Sequence, residues 1–361
     1  MASVGLIFGG RSVEHQVSIN SARTVARGLR EAGHRVIPLG VAQDGCWIDA
    51  SASEAVLAGD AKSIAALGTP VAPTLARLAG AGAEVLFPLI HGTWGEDGTL
   101  QGLCEMLALP YVGAGVAASA IAMDKLLCKR LLAAAGVPVV EYEGTTRADF
   151  EADPAAILRR LENLPLPLFV KPSVGGSSVG VKRVPSRECQ ESSIRFALQF
   201  DDAVLVERGA SGRELECAVL GAGGRLEASC VGEIVPGNDF YDYADKYLQD
   251  TAGLIAPADL PAEVAGRVRE LAVRAFAAIG GAGMARVDFF LEGNDRLSVN
   301  EINTLPGFTS ISMYPRLWGL SGLPLPRLVD RLVALAVERH QERHRLDRGI
   351  KEWLAELGTG S

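Results

Sequence analysis

The chain has 361 residues, of which 48% are hydrophobic and 22% are charged, and its formal net charge is -8. This length exceeds that of one compact core of ordinary size, so we expect two or three packed domains rather than a disordered chain. No run of lysine or arginine interrupts the negative charge, which excludes the electrostatic footprint of a nucleic-acid-binding protein.

The six cysteines lie far apart without CxxC spacing, so we expect buried free thiols rather than a disulfide framework. No segment offers the roughly 20 apolar residues that a membrane helix requires. The start, MASVGLIFGGRS, carries no basic leader. We therefore expect a cytoplasmic protein with no nucleic-acid partner and no membrane partner.

The first 120 residues alternate short apolar strands with helical patterns, which predicts helices packed on a mainly parallel sheet. Residues 4–8 are predicted to form a buried strand, and two glycines then begin a turn. The helix that follows has one apolar stripe, formed by Val17, Ala22, Val25, Ala26 and Leu29. Residues 36–41 and 84–90 are predicted as the next strands, and the second runs into the loop HGTWGEDGTLQG at 91–102. Open α/β sheets bind ligands at the carboxyl ends of their strands, so this loop is a candidate site.

The middle and C-terminal parts of the chain show a different pattern. An alanine-rich helix is predicted over 116–135, and the strands LFVKPS, VGVKRV and AVLVERG that follow have β-hairpin character, so a second domain is expected to begin near residue 125. From Glu214 onward, strands, a helix over 261–279 and two further strands predict a third, α+β unit. The tail after His340 is predicted to be an amphipathic helix that ends in a flexible terminus.

The segment PSVGGSSVG at 172–180 lies between two apolar strands and can wrap an anion with backbone N–H groups and hydroxyls, which favours a phosphate ligand. It is not a Walker loop, because no GK[ST] follows it. A glycine-rich hairpin without a ligand is the alternative. Lys171 ends a strongly apolar run, so its charge needs an anionic partner. Lys125 alone could equally belong to the solvated face of a helix.

Two predicted strands near the C-terminus carry acids at positions that strand periodicity would bury. In LSVNEIN, a period of two places Leu297, Val299, Glu301 and Asn303 on one face, and in MARVDFFL it places Arg286 and Asp288 together. Asp, Glu and Asn supply the hard oxygen ligands that magnesium takes when it also bridges nucleotide phosphates. A buried ion-pair network around Arg286 is the alternative.

Two further segments suit a reacting site. TLPGFTSIS offers backbone N–H groups and hydroxyls to a carboxylate or an oxyanion, although an ordinary polar turn would look the same. FYDYADKYL at 240–248 combines aromatic residues with Lys246 in an aperiodic stretch, which favours a closing lid that excludes water. Aromatic residues that anchor a loop to the core are the alternative.

Taken together, these segments resemble the D-alanine–D-alanine ligases of the ATP-grasp superfamily. The resemblance covers nearly the whole chain and rests on seven ordered blocks: GGRSVEHQVS, HGTWGEDGTLQG, AMDKLLCK, KPSVGGSSVG, YDYADKY, ARVDFF and NEINTLPGFTSIS. It implies an α/β and α+β chain, an ATP-grasp fold with an N-terminal Rossmann-like parallel-sheet domain. The domains expected are a substrate-side domain at 1–124, a central ATP-grasp subdomain at 125–214, a C-terminal ATP-grasp subdomain with lid and metal site at 215–345, and a tail at 346–361.

The resemblance also implies a role for each matching residue. Those implied to bind ATP are Lys125, Lys171, Gly176, Ser177, Ser178, Glu207, Glu214 and Lys246. Those implied to hold the metal are Asp288, Glu301 and Asn303. Those implied to bind substrate are Glu14, His91, Arg286, Gly307 and Ser312. Those implied to act in catalysis are Glu14, Ser177, Tyr247, Arg286 and Gly307.

Among these roles, Glu14 is similar to the acid that receives the ammonium of the first D-alanine, and Ser177 and Tyr247 are similar to its partners in a network that closes the lid. Arg286 and the Gly307 N–H resemble an oxyanion-stabilising pair. The implied reaction joins two D-alanine molecules through a D-alanyl phosphate. It uses ATP as co-substrate and two Mg²⁺ (or Mn²⁺) ions, and it supplies peptidoglycan synthesis. A homodimer is expected.

Three rival functions stay open at this point. The acceptor could be D-lactate or D-serine, although D-lactate-using relatives depart from the YDYxxKY pattern that this chain keeps. The N-terminal strand and glycine turn could belong to a dinucleotide-binding dehydrogenase, but GxGxxG and a suitably placed acid are missing. A nucleotide-binding regulator without catalysis is the third.

Overall fold

The computed structural model describes residues 1–59, 80, 82–235 and 253–358. The N-terminal unit is a three-stranded sheet in the order β2-β1-β3, and both neighbours of β1 run parallel to it. Its elements are β1 (Ser3–Gly9), α1 (His15–Glu31), β2 (Arg35–Val41), α2 (Ala50–Ala58) and β3 (Val85–Pro88). Strand β1 is buried along nearly its whole length, as expected for a parallel strand covered on both faces. The predicted parallel sheet is confirmed.

The predicted stripe of α1 packs against this sheet, with one exception. Four of its five residues are buried: Ala22, Val25, Ala26 and Leu29. The fifth, Val17, lines a cavity instead.

Three helices connect the first sheet to the second: α3 (Thr99–Met106), α4 (Val116–Met123) and α5 (Lys125–Ala134). The prediction of one helix over 116–135 was wrong, because the chain breaks between α4 and α5. Asp124 has an extended backbone, and its side chain accepts hydrogen bonds from the N–H groups of Leu126 and Leu127. The cap at Asp124 therefore ends α4 and begins α5.

The second sheet has four antiparallel strands in the order β4-β7-β5-β6. Its region contains β4 (Tyr142–Thr146), α6 (Arg147–Ala152), α7 (Pro154–Leu161), β5 (Leu168–Pro172), β6 (Lys182–Val184), a short 3-10 helix (Arg187–Cys189), α8 (Gln190–Ala197) and β7 (Ala203–Arg208). One face packs on these helices through Phe150, Ile157, Ile194 and Val206. The expected hairpin strands around the 172–180 segment are therefore confirmed.

The third sheet has five antiparallel strands in the order β10-β9-β8-β11-β12. Its region contains β8 (Arg213–Ala222), β9 (Arg225–Val235), β10 (Gly253–Ile255), α9 (Ala262–Ala278), β11 (Gly283–Glu292), β12 (Arg296–Asn303), α10 (Met313–Leu320) and α11 (Leu325–Gly358). Helix α9 covers one face of the sheet. Helix α10 and the first turns of α11 lie on the other face, in a core shared with β1 and α1.

A bulge in β12 changes which side chains face the core. Asp288 pairs with Glu301 but Phe289 pairs with Val299, so Asn300 is an extra residue in the ladder. The prediction that Glu301 and Asn303 share a face with Val299 was wrong for this reason. Beyond the bulge, Ile302 joins Val299 in the core, while Glu301 faces the same side as Asp288.

The remaining sequence expectations concern cysteines and membranes. All six cysteines are free, and three of them are buried while Cys46, Cys189 and Cys230 are only partly so. Within the described ranges, no helix has the length and apolar character needed to cross a membrane. The predicted C-terminal helix is the end of α11, which runs without interruption through residue 346.

Candidate active site

A cavity of about 810 Å³ opens between the second and third sheets and the loops that follow β1 and β3. Every predicted site residue that the structure describes lines it: Glu14, His91, Lys125, Lys171, Gly176, Ser177, Ser178, Glu207, Glu214, Arg286, Asp288, Glu301, Asn303, Gly307 and Ser312. Lys246, Tyr247 and the predicted lid at 240–248 lie outside the described residues. Thus the glycine–serine segment and Asp288, more than 100 positions apart in sequence, border one space.

The glycine–serine segment connects β5 to β6 at one wall of the cavity. Ser177 and Ser178 both adopt the left-handed backbone region, with φ of 52° and 58°. Residues other than glycine rarely adopt it, and such conformations cluster at ligand sites. Turns of this kind point successive backbone N–H groups into a concavity, which suits an anion.

The start of this segment is fixed to α5. The Lys125 backbone N–H donates to the Ser173 carbonyl (2.8 Å), and its ammonium donates to the Gly175 carbonyl (2.6 Å). The Ser173 hydroxyl donates to Asp124 (2.5 Å). Lys125 is therefore held against the segment at the cavity wall, and the alternative of a purely solvated lysine does not apply.

Glu207 is a buried carboxylate between two lysines. Its Oε2 lies 3.0 Å from the Lys129 ammonium, and its Oε1 pairs with Lys171. Burial alone would raise the pKa of Glu207, but Lys129 and Lys171 outweigh burial and lower it to about 2. Burial would likewise lower the pKa of Lys171, whereas Glu207, Glu301 and Glu214 raise it. The sequence prediction that Lys171 has an anionic partner is confirmed, and the partner in this structure is Glu207.

Arg286 stands in a carboxylate cluster on the third sheet. Its Nε and one terminal nitrogen donate to the two oxygens of Asp288, each at 2.7 Å, and Nε also lies 3.1 Å from Glu216 Oε1. Burial opposes the charged form of Arg286, but Asp288 and Glu216 outweigh it and raise its pKa. The ion-pair network that the sequence left as an alternative is therefore present.

The same cluster fits a divalent cation. Asp288 lies directly opposite Glu301 on the neighbouring strand, and Arg286 lies opposite Asn303. Like charges placed across a ladder repel, which favours a cation between them. A carboxylate oxygen that accepts from arginine keeps a second lone pair. Carboxylate and amide oxygens suit Mg²⁺ or Mn²⁺. Among the described residues, no set of three or more His, Cys, Asp or Glu side chains could hold a metal, so an ion here needs further oxygen ligands, such as Asn303, water or a bound phosphate.

Near α1, the wall of the cavity is formed in part by Glu14, the residue just before this helix. Glu14 occupies the N-cap position without capping the helix through its side chain. A Cβ added at Gly92 would lie 2.9 Å from Glu14 Oε2, and one added at Gly176 would lie 3.5 Å from it. The carboxylate is therefore enclosed between the loop after β3 and the glycine–serine segment, and larger residues at Gly92 would displace it.

His91 connects this end of the cavity to the loop after β12. Its Nδ1 lies 3.1 Å from the Leu305 carbonyl and 3.4 Å from Glu96 Oε1, while Nε2 lies 3.0 Å from Ser21 Oγ. Since both groups near Nδ1 are acceptors, Nδ1 carries a proton and the Ser21 hydroxyl donates to Nε2 of the neutral ring. Burial disfavours protonation of His91, but Glu96 and then Glu14 outweigh burial and raise its pKa.

The loop after β12 presents Gly307 and Ser312 to the cavity. The Phe308 N–H donates to Ser21 Oγ (3.1 Å), which ties this loop to α1. The Thr309 N–H donates to Ser312 Oγ (2.9 Å), and an added Cβ at Gly307 would lie 2.8 Å from that oxygen. Any side chain at Gly307 would therefore collide with the Ser312 hydroxyl.

Three residues at this site were missed by the sequence analysis. Glu216 follows Glu214 by two positions in β8, so strand alternation would have found it. Glu96 lies in the loop already marked as a candidate site, but nothing in its spacing pointed to His91. Lys129 lies on a helix where a charged residue is usually solvated, so only the fold shows it buried beside Glu207.

Comparison with known proteins gives consistent matches over most of the chain. Residues 3–114 match the family model described as D-ala D-ala ligase N-terminus, and residues 131–334 match D-ala D-ala ligase C-terminus. The D-alanine–D-alanine ligase of Solibacter usitatus is 44% identical over 341 residues, which cover 94% of this chain and 97% of that protein. D-alanine–D-alanine ligase A of Escherichia coli K12 is 44% identical over 353 residues, 93% and 96% of the two chains.

Solved structures agree with these matches. The D-alanine–D-alanine ligase of Coxiella burnetii superposes with a TM-score of 0.81 at 36% identity, and the match covers 98% of this chain and 99% of that one. The VanG D-Ala:D-Ser ligase of Enterococcus faecalis gives a TM-score of 0.80 at 33% identity, with 93% and 99% covered.

Proposed function

Because the chain belongs to the D-alanine–D-alanine ligase family, an ATP-grasp family, we propose that it joins two D-alanine molecules into D-alanyl-D-alanine and converts one ATP to ADP and phosphate. The product would serve peptidoglycan precursor synthesis. One observation carries the proposal: a single cavity brings together the glycine–serine segment, two lysines and a carboxylate pair that suits a divalent cation.

Charge explains how this cavity accepts a triphosphate. The phosphates would lie against the backbone N–H groups around Gly176, Ser177 and Ser178, with Lys125 and Lys171 beside them. Glu207 and Glu214 would lie by the adenine and ribose. Lys171 then exchanges part of its contact with Glu207 for a phosphate, and Lys129 continues to neutralise Glu207.

Asp288, Glu301 and Asn303 would hold two Mg²⁺ or Mn²⁺ ions, which when bound neutralise charge on the transferred phosphate. The protein holds this donor set in place through the ladder between β11 and β12.

The first step forms an acyl phosphate. Glu14, with His91 nearby, would bind the ammonium of the first D-alanine and present its carboxylate to the γ-phosphorus of ATP. A carboxylate oxygen forms the new P–O bond, and the bond to ADP breaks.

In the second step, the amine of the second D-alanine attacks the acyl carbon. Arg286 and the Gly307 N–H would stabilise the oxyanion, Ser312 would hold the carboxylate of this substrate, and phosphate leaves. The amine must lose a proton, and we assign that role to the Ser177–Tyr247 pair. Tyr247→Phe should then lower turnover, most strongly at low pH. Activity equal to that of the unmodified chain at every pH would contradict this assignment.

A second candidate function is ligation of D-alanine to D-serine or D-lactate. The structural similarity to a D-Ala:D-Ser ligase supports D-serine as the second substrate, whereas the YDYADKY sequence favours D-alanine. Phosphate release with each acceptor at fixed pH would separate them, and a higher rate with D-serine than with D-alanine would change the assignment.

ATP turnover tests the whole proposal. We expect ADP formation with D-alanine and Mg²⁺, and little with L-alanine or with Mg²⁺ withheld. Lys171→Ala should lower the rate, while Lys182→Ala, on a neighbouring strand and facing Phe196, is the matched control. ATP binding without D-alanine-dependent turnover would instead indicate a regulator, and a nicotinamide absorbance change with a hydroxy acid would indicate a dehydrogenase.

We also propose a cytoplasmic location, a homodimer, and the domain division at 124/125, 214/215 and 345/346. Residues 214 and 215 both lie in β8, so that boundary would run through a strand of the third sheet.

A further inference from the structure

The end of α11 projects from the rest of the chain. Its first turns are buried in the core through residues such as Leu328, Leu332 and Val333. Within the described residues, the helix is anchored by Arg339, which donates to the Tyr111 carbonyl (2.9 Å), and by Arg343, which lies 2.9 Å from Glu105. Residues 341–357 are all exposed, which corresponds to about 25 Å of helix.

This projecting part carries an apolar stripe. Five large side chains are exposed by more than half: Leu346 (64%), Ile350 (57%), Trp353 (58%), Leu354 (54%) and Leu357 (58%). The last four follow Leu346 by four, seven, eight and eleven positions, which places all five on one face of the helix. None of them lines the cavity described above.

A helix of this kind needs a partner. A solitary helix of this length is marginal in water, and Gly349 in its interior weakens it further. Leaving large apolar side chains in water forgoes the favourable free energy of burying them. The family match ends at residue 334, so the projecting turns lie beyond it.

The charges along the projecting helix are self-complementary. Residues 342–351 carry four basic and two acidic side chains, while residues 352–358 carry two acidic side chains and no basic one. The helix dipole adds negative character at the C-terminal end. Two such helices attract when they run antiparallel and repel when they run parallel. Since the charges of the whole segment cancel, it gains nothing from an anionic membrane surface.

We propose that the apolar stripe of α11 pairs antiparallel with the same stripe of a second copy of this chain. The arrangement is a two-fold, self-complementary contact, in which each stripe covers the other. It is independent of the proposed reaction, because it uses no residue of the cavity, and loss of either leaves the other testable.

Particle mass tests the contact. Sedimentation of the full chain should give a particle with twice the mass found for Trp353→Glu. Ala355→Glu introduces the same charge two residues away on the opposite face, and its mass should match that of the unmodified chain. Far-ultraviolet circular dichroism and ATP turnover check that both variants are folded. Equal mass for all three proteins would overturn the proposal.

Charge reversal tests the orientation. Glu352→Lys with Glu356→Lys makes both halves of the helix basic and should weaken association at least tenfold at low salt. Adding Arg345→Glu and Arg348→Glu restores opposite halves and should restore association. Failure of the fourfold variant to recover would overturn the antiparallel arrangement.

A membrane surface is the remaining outcome to test. Sedimentation with vesicles of anionic phospholipid should leave the full chain unbound. Vesicle binding that is lost in Trp353→Glu, together with equal particle mass for both proteins, would overturn pairing and assign the stripe to a lipid surface.

Discussion

Glu207 is a fully buried carboxylate that stays ionised because two lysine ammonium groups flank it. Arg286 shows the opposite arrangement, a partly buried guanidinium whose charge is stabilised by Asp288 and Glu216. Each charge is compensated within the protein, so the cavity is polar before any ligand enters. The residue-scale predictions follow from removing one member of such a pair.

Glu207→Gln should destabilise the free chain by about 3 to 5 kcal/mol, since it removes the carboxylate between the buried Lys129 ammonium and the partly buried Lys171 ammonium. Glu227→Gln, which removes a half-exposed partner of Arg331, is the control and should cost at most about 1 kcal/mol. Urea unfolding at neutral pH measures both. An equal loss of unfolding free energy in both variants would show that the buried ion pairs of Glu207 stabilise the chain no more than an exposed ion pair does.

The same residue predicts a pH dependence. The pKa of Glu207 is about 2 in the folded chain, below its ordinary value of about 4.3. Its stabilising contribution is therefore present above that ordinary value and is lost as pH falls towards 2. Unfolding free energies between pH 6 and pH 3 should fall less steeply for Glu207→Gln than for the unmodified chain.

Glu96→Gln should lower the pKa of His91, because Glu96 is the main group that raises it. A raised pKa of His91 stabilises the folded chain at pH values below the ordinary histidine pKa of about 6.5. This stabilisation is lost as the pH rises through the raised pKa. Proton NMR of the His91 ring measures the change. Asp330→Asn removes the carboxylate beside His34, far from the cavity, and should leave the His91 titration unaltered.

At the scale of elements, two local features set the geometry of the site. Asp124 ends α4, begins α5 and accepts from Ser173, so it fixes Lys125 against the glycine–serine segment. The bulge at Asn300 turns Glu301 towards Asp288. In both cases one residue of irregular backbone decides where a functional side chain lies.

Asp124→Ala should destabilise the chain by about 1 to 2 kcal/mol through loss of the helix cap, and should also raise the KM for ATP several-fold. Asp49→Ala removes the corresponding cap of α2, where Asp49 accepts from Ala52 at 2.8 Å. It should cost a similar stability and leave the KM for ATP unchanged. If the KM for ATP rose equally in both variants, the rise would reflect general destabilisation of the fold rather than the position of Lys125.

At the scale of the whole molecule, the cavity exists only where the units meet. The third sheet shares one core with the N-terminal sheet, and the second sheet contributes the opposite wall of the cavity. A nucleotide there would contact more than one unit and should therefore stabilise their common arrangement.

A non-hydrolysable ATP analogue with Mg²⁺ should raise the unfolding free energy by about 2.7 kcal/mol at a hundred times its Kd. Thermal unfolding measures the effect. The shift should shrink when EDTA replaces Mg²⁺ and in Lys171→Ala, but persist in Lys182→Ala. An equal shift in EDTA would count against the metal assignment to Asp288 and Glu301.

The sequence by itself determined the elements and most of the site. Apolar periodicity gave the parallel N-terminal sheet, because both faces of β1 are buried and α1 carries one stripe. Turn residues marked the glycine–serine segment, and acids within apolar strands marked Asp288 and Glu301. Such signals are local, since they depend on neighbours within one strand or one helix.

Only the tertiary structure decided which charges meet. Lys129 and Glu96 have no local signature, because their partners Glu207 and His91 come from distant parts of the chain. The bulge at Asn300 depends on pairing with β11, so counting residues along β12 alone gave the wrong face. Side-chain pairing between elements is set by how the elements pack in three dimensions. The periodicity of residues along one element does not determine this packing.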